Sequence, residues 1–214
     1  MDTKTIDFAL VVDVFLLLLI GIGPKIALVP FLELTSGMDK ATKARVIRKM
    51  LTTASVVAVI LVVLGELLTR LLHFSPESLA VAGGVILFIL AATMILGSGE
   101  DKKSGETETT DPLRLAVFPL AVPYLLNPVG IVVLVTMSAE SESAARTALV
   151  VGLVALVLAL DVAVFRWANR VGEHLDPSRM IVTEKVFGFL LAAVAVQLVL
   201  TGLDGLGVIH LNEH

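Results

Sequence analysis

Two short clusters hold the residues best suited to chemistry: Gly21-Ile22-Gly23-Pro24 and Asn127-Pro128-Val129-Gly130, with Pro128 lying 104 positions after Pro24. Both sit inside long apolar runs. In each, a residue of capping type, Gly23 or Asn127, stands before a proline, the order a helix uses at its N-cap and first position when it begins afresh. A helix that restarts inside a bilayer aims unpaired N–H groups and about +0.5 of a charge at the membrane centre, which suits an anionic group such as a carboxylate. Gly21, Gly23, Pro24, Lys25, Asn127, Pro128 and Gly130 are therefore candidate substrate-binding residues. The competing reading is a pair of kinks that only assist packing.

Four polar residues within the apolar runs extend the list. Lys25 follows the first break directly and would add positive charge beside a carboxylate, unless it pairs with Asp161 or Asp13. Thr93 and Gln197 share the offset of 104 and are candidates to line the same cavity, or to bond between helices. Asp161 is a candidate ion-coupling residue, because an ionised carboxylate within a span is costly unless it has a role or a partner such as Arg166. The four histidines, His73, His174, His210 and His214, lie at or beyond span ends, and no nucleophile-base or metal constellation falls within the spans. An enzyme is not expected, nor is a cofactor or metal.

The elements that must position these residues follow from composition. The chain is 57% hydrophobic and 17% charged, with a mean hydropathy of +0.95, which is a membrane composition. Six runs approach the roughly 20 apolar residues that span a bilayer: Phe8 to Leu34, Ile47 to Leu72, Leu79 to Leu96, Leu113 to Met137, Ala144 to Trp167 and Val186 to Leu206. One membrane domain, residues 1–214, is expected. The acidic head, with Asp2 and Asp7 against Lys4, argues against a cleaved secretory signal. With no cysteine, disulfides and thiolate sites are excluded.

Lys and Arg number 16, and 12 of them fall in the loops after spans one, three and five: Lys40, Lys43, Arg45, Arg48, Lys49, Lys102, Lys103, Arg114, Arg166, Arg170, Arg179 and Lys185. The opposite side holds Lys4, Arg70 and Arg146. By the positive-inside tendency both termini lie outside. The basic stretch Lys40 to Lys49 is expected as a cytoplasmic loop that fixes topology, with a lipid or partner patch as the alternative. Glu66 and Arg70, four apart, should pair on one helix face. Pro119, Pro123 and Pro128 should keep the first half of span four from being a regular helix, freeing carbonyls for an ammonium group or cation.

The halves can be superposed in sequence. Gly84 falls on Gly188 at the same offset of 104, and Pro76 on Pro177 at 101. Three spans per half is an odd number, so the second half must be inverted. The expected architecture is all-α: six transmembrane helices as two inverted three-helix repeats, residues 1–98 and 113–214, joined by a flexible linker at 99–112, with the first and fourth helices discontinuous.

Gly23-Pro24, Phe31 to Thr35, Ala82-Gly83-Gly84 to Phe88, Pro119 to Pro123 with Asn127-Pro128, and Leu191 to Gln197 together resemble the MarC family of six-span inner-membrane proteins, also called the SnatA or neutral amino acid transporter family. The resemblance covers nearly the whole chain. It implies transport of small neutral amino acids such as glycine or alanine, across a cell inner membrane, through two inverted repeats. Two places differ from the family pattern: Lys25 and Ile26 with a proline displaced to Pro30, and Asn127-Pro128-Val129 where the family carries Gly-Pro-Gly. The expected function is a secondary transporter working by alternating access, with an ion channel or exchanger at the same midplane site as the alternative. The expected partners are a neutral amino acid, the lipid bilayer and a coupling proton or cation, with room for a homo-oligomer and no nucleic acid.

Overall fold

A computed structural model describes residues 8–96, 111–139, 144–171 and 177–210. The expected linker lies almost wholly outside these residues, as do Lys4, Lys102, Lys103, His174 and His214. Among the described residues all regular structure is helical. The helices are α1 (Phe8–Gly21), α2 (Pro24–Leu34), α3 (Lys40–Leu72), α4 (Pro76–Leu96), α5 (Pro112–Leu115), α6 (Pro128–Ala139), α7 (Ala144–Val171) and α8 (Pro177–Gly205), with a wide-turned segment at Ala116–Leu125 between α5 and α6.

Five stretches are long and apolar enough to cross a membrane: Val11–Leu34, Lys40–Leu72, Pro76–Leu96, Ala145–Arg170 and Lys185–Gly205. The bent pair Pro112–Leu125 and Pro128–Ala139 makes a sixth if counted as one span. The first stretch is the most enclosed, with 56% of its apolar window buried against 28% for α3 and 22% for Lys185–Gly205. It runs through the centre of the molecule. Exposed Val59 and Val63 on α3, Ile86 and Ile89 on α4, and Phe189 and Leu190 on α8 form an apolar exterior, as a surface solvated by lipid tails requires.

The basic stretch Lys40 to Lys49, expected as a loop, is instead the opening of α3. Asp39 is the reason: its carboxylate accepts from the amides of Ala41 (3.0 Å) and Thr42 (3.1 Å), capping donors that would otherwise be orphaned. Hydrogen bonding from Thr42, by side chain and amide, holds the Asp39 carboxyl below its ordinary range. Arg166 and Arg170 likewise belong to the last turns of α7 and not to a loop. Glu66 and Arg70 pair as expected, 2.5 Å apart on the exposed face of α3. Such exposed helix pairs are worth about 0.3–0.5 kcal/mol.

The prolines of span four act as anticipated. Phe118 (φ −136°, ψ 126°) and Val122 (φ −135°, ψ 125°) are extended where a helix would need compact residues, because the residue before a proline is pushed out of the α region. Regular bonding stops, and the Leu126 amide reaches five residues back to the Ala121 carbonyl at 2.9 Å.

Glycine makes the closest helix pair. α4 and α8 run antiparallel, and a Cβ on Gly84 would lie 2.6 Å from Val199 Cγ2 and 2.8 Å from the Ala195 carbonyl oxygen. At the other end a Cβ on Gly188 would lie 2.9 Å from Ile95 Cγ1 and 3.3 Å from the Ala91 carbonyl oxygen. Lys185 ties the pair by donating from Nζ to the Met94 carbonyl at 2.9 Å, in the last turn of α4, where a cation also complements the helix dipole.

Candidate functional site

The two proline breaks meet. α1 ends at Gly21, α2 begins at Pro24, and α6 begins at Pro128; the Asn127 amide donates to the Gly21 carbonyl at 2.9 Å. Gly21 and Gly130 touch backbone to backbone. A Cβ on Gly21 would overlap Gly130 Cα, and a Cβ on Gly130 would overlap the Gly21 carbonyl oxygen. Both positions therefore have to be glycine for the spans to cross this closely, a matter of clearance and not of backbone angle.

Asn127 organises the crossing. Its Oδ1 accepts from the amides of Val129 (2.9 Å) and Gly130 (3.2 Å), which are the first free donors of α6. Its Nδ2 donates to the Ile20 carbonyl at 2.7 Å, in the last turn of α1. One fully buried side chain thus caps the start of one helix and the end of another.

The first break is built differently. Gly23 is extended (φ −81°, ψ 158°), Pro24 takes the first helical position, and no side chain caps the start of α2. Instead the Ile22 amide closes α1 by donating a hydrogen bond to the Leu18 carbonyl at 2.7 Å, and a Cβ on Gly23 would overlap the Leu19 carbonyl oxygen. Chain and carbonyl approach so closely that the break excludes any side chain.

The crossing thus gathers Gly21, Gly23, Asn127, Pro128 and Gly130, all buried, with Pro24 half-buried. Lys25 sits beside them with an exposed side chain. It forms no ion pair with Asp161 or Asp13 among the described residues. Thr93 and Gln197 are not brought to this place. Thr93 is exposed and donates to the Leu90 carbonyl of its own helix at 2.7 Å. Gln197 is exposed and donates to Thr201 Oγ1 at 3.4 Å.

Asp161 faces inward. It belongs to the buried stripe Val150, Val154, Val157, Asp161, Phe165 and Ala168 of α7, with 0% of its surface exposed. One turn on, Phe165 meets Phe31 of α2 edge to face, ring centres 5.4 Å apart. Neither carboxylate oxygen has a hydrogen-bond partner, so the expected contact with Arg166 does not form. A buried carboxylate without partners is expensive to keep charged. Among the described residues no group of three His, Cys, Asp or Glu side chains could hold a metal ion.

The sequence marked Arg45, Arg48, Arg166 and Arg170 chiefly as topology signals, with a lipid or partner patch as the alternative for Lys40 to Lys49 and Asp161 as a candidate partner for Arg166. The four arginines line a hollow of about 820 Å³ between α3 and α7 whose wall includes none of the break residues. Their spacings of three and four residues, one helical turn, were the available signal.

The model of a family described as MarC family integral membrane protein matches residues 8–206. The chain is similar to UPF0056 membrane protein YvbG of Bacillus subtilis (strain 168), 28% identical over 204 residues, or 93% of this chain and 96% of that protein. It is also similar to UPF0056 membrane protein YhcE of Escherichia coli (strain K12), 24% identical over 94% of each chain. A UPF0056 membrane protein of Archaeoglobus fulgidus is 28% identical over 191 residues, 88% of this chain and 90% of that one. No solved structure matches.

Proposed function

The chain belongs to the MarC family of integral membrane proteins, and from that premise we propose that it is a secondary transporter, not an enzyme, carrying small neutral amino acids of glycine or alanine size by alternating access. The observation that carries this reading is the double role of Asn127. Its carboxamide oxygen occupies two amide donors at the start of α6 while its NH₂ occupies a carbonyl at the end of α1. Those are the partners a zwitterionic amino acid needs: donors for its carboxylate and an acceptor for its ammonium group. When the Gly21–Gly130 contact opens, Asn127 can turn aside and the substrate can take its bonds. A small substrate fits, since the glycines leave no bulk to displace. Lys25, next to the uncapped start of α2, adds positive charge for the carboxylate.

Pairings between the halves support two inverted three-helix repeats with discontinuous first and fourth helices. α1 packs on α6, and α2 packs on Ala116–Leu125, an exchange that relates each half-span to its counterpart. Gly84 meets Ala195 and Val199, and Gly188 meets Ala91 and Ile95; every member of the second set lies 104 positions from its mate in the first. Repeats of this kind rock against each other around a midplane site. We place the arginine-bearing ends of α3 and α7 in the cytoplasm of a cell with this protein in its inner membrane, and both termini outside.

Uptake of labelled glycine and alanine into proteoliposomes, with and without a proton gradient, tests the reading. Saturable uptake that the gradient accelerates and unlabelled substrate suppresses is the expected result. Absence of uptake and of competition for both amino acids would remove the substrate class. The unpartnered carboxylate of Asp161 favours a second reading, a cation channel or exchanger, which predicts cation flux in the same vesicles without any amino acid present.

A further inference from the structure

The hollow between α3 and α7 is chemically distinct from the crossing. Arg45 and Arg48 reach it from the first turns of α3, and Arg166 and Arg170 from the last turns of α7. Its volume of about 820 Å³ lies within the range of small-molecule sites. Four arginines line the space, and none forms an ion pair with a carboxylate among the described residues. Arg45 spends one donor on Thr42 Oγ1 at 2.9 Å, leaving most of its five N–H groups for another acceptor. Below the arginines the wall turns apolar with Ile47, Leu51 and Val162.

We infer that this hollow binds a phosphate-bearing anion, held by Arg45, Arg48, Arg166 and Arg170. Four like charges around one cavity repel one another until an anion enters. A phosphate has the charge and the oxygens to engage several planar guanidinium forks at once, each by paired bonds. A single carboxylate could satisfy only part of the set. The apolar wall beneath the charges suits an ester whose hydrocarbon continues along the helices, and basic pockets between membrane helices are known seats for anionic lipid headgroups. Soluble phosphate shares the recognising chemistry, and the two sources are separated by experiment. The site stands independently of any transport cycle.

The test uses the full chain purified in detergent, with native mass spectrometry and thermal unfolding as readouts. One arm titrates phosphatidylglycerol against phosphatidylcholine, and the other titrates inorganic phosphate. The wild-type chain should retain phosphatidylglycerol, and R48Q/R166Q should retain it roughly thirtyfold less well, at about fivefold per arginine. K43Q/K49Q, which removes equal charge outside the hollow, should bind as wild type. R48K/R166K, which preserves charge and fold but not the fork, should bind with intermediate strength. Saturable stabilisation by inorganic phosphate alone, lost in R48Q/R166Q, would assign the site to a soluble anion. Equal retention of both lipids with no phosphate effect, or equal loss in the lysine and arginine variants, would overturn the proposal.

Discussion

The two breaks solve one problem in opposite ways. At the first, Gly23 excludes side chains: the Leu19 carbonyl oxygen occupies the space a Cβ would need, and the start of α2 has no side-chain cap. The apolar stretch still runs on as a single span, Val11–Leu34. At the second, Asn127 supplies three hydrogen bonds from one side chain, and the chain bends by 69° between its two parts. A break with little bend keeps its neighbours close enough to satisfy the backbone. A sharp bend separates them, and a side chain must fill the gap. The difference teaches that a proline in a membrane helix has no fixed structural meaning until the residue before it is known.

The largest effect should come from the shared point of the two breaks. Gly130→Val places atoms on the Gly21 carbonyl, and overpacking of this kind costs about 1–3 kcal/mol or more. Flux in proteoliposomes should fall by more than about tenfold, with a lower unfolding midpoint in detergent; wild-type values for both would mean that the spans do not touch. Next come the exchanges at the caps. Asn127→Ala removes the cap, worth about 0.5–2 kcal/mol, and Gly23→Asn forces a side chain against Leu19. Both should destabilise the protein in thermal unfolding, and neutrality of either exchange would break the contrast between the two breaks. Asp161→Asn comes third: uptake should survive with a flattened dependence on pH, and an unchanged profile would remove Asp161 from coupling. The smallest effects belong to Thr93→Ala and Gln197→Ala, each within about 0.5 kcal/mol of wild type in thermal unfolding and with uptake preserved. Loss of uptake in either would return that residue to the site.

What the sequence made legible was local. Gly-Pro and Asn-Pro within apolar runs announce interrupted helices because the backbone constraints of these residues need no tertiary context. The three prolines of Pro119 to Pro128 announced irregularity for the same reason. Asn127 was identified as a cap, but its bond to Ile20, 107 residues away, was not. Nothing local specifies which distant carbonyl a buried amide will find. The Gly21–Gly130 contact was hidden likewise. Thr93 and Gln197 show a different blindness. Their matched offset was visible, yet the buried faces pass through Leu87, Ala91 and Met94 on α4 and through Leu191 and Ala195 on α8, leaving both polar residues outside. In water an amphipathic pattern would have revealed that phase. In lipid the outward face is as apolar as the inward one, so the period that marks a buried stripe fades.

The Asn127 bonds carry one more consequence. Because the residue fills donors and acceptor from within, the crossing needs no bound water to satisfy them, and the glycine backbones close over it. Fully buried Leu18, Ile22, Leu125 and Leu126 surround the place. A water molecule entering this crossing would have to displace Asn127 from its three partners or part Gly21 from Gly130.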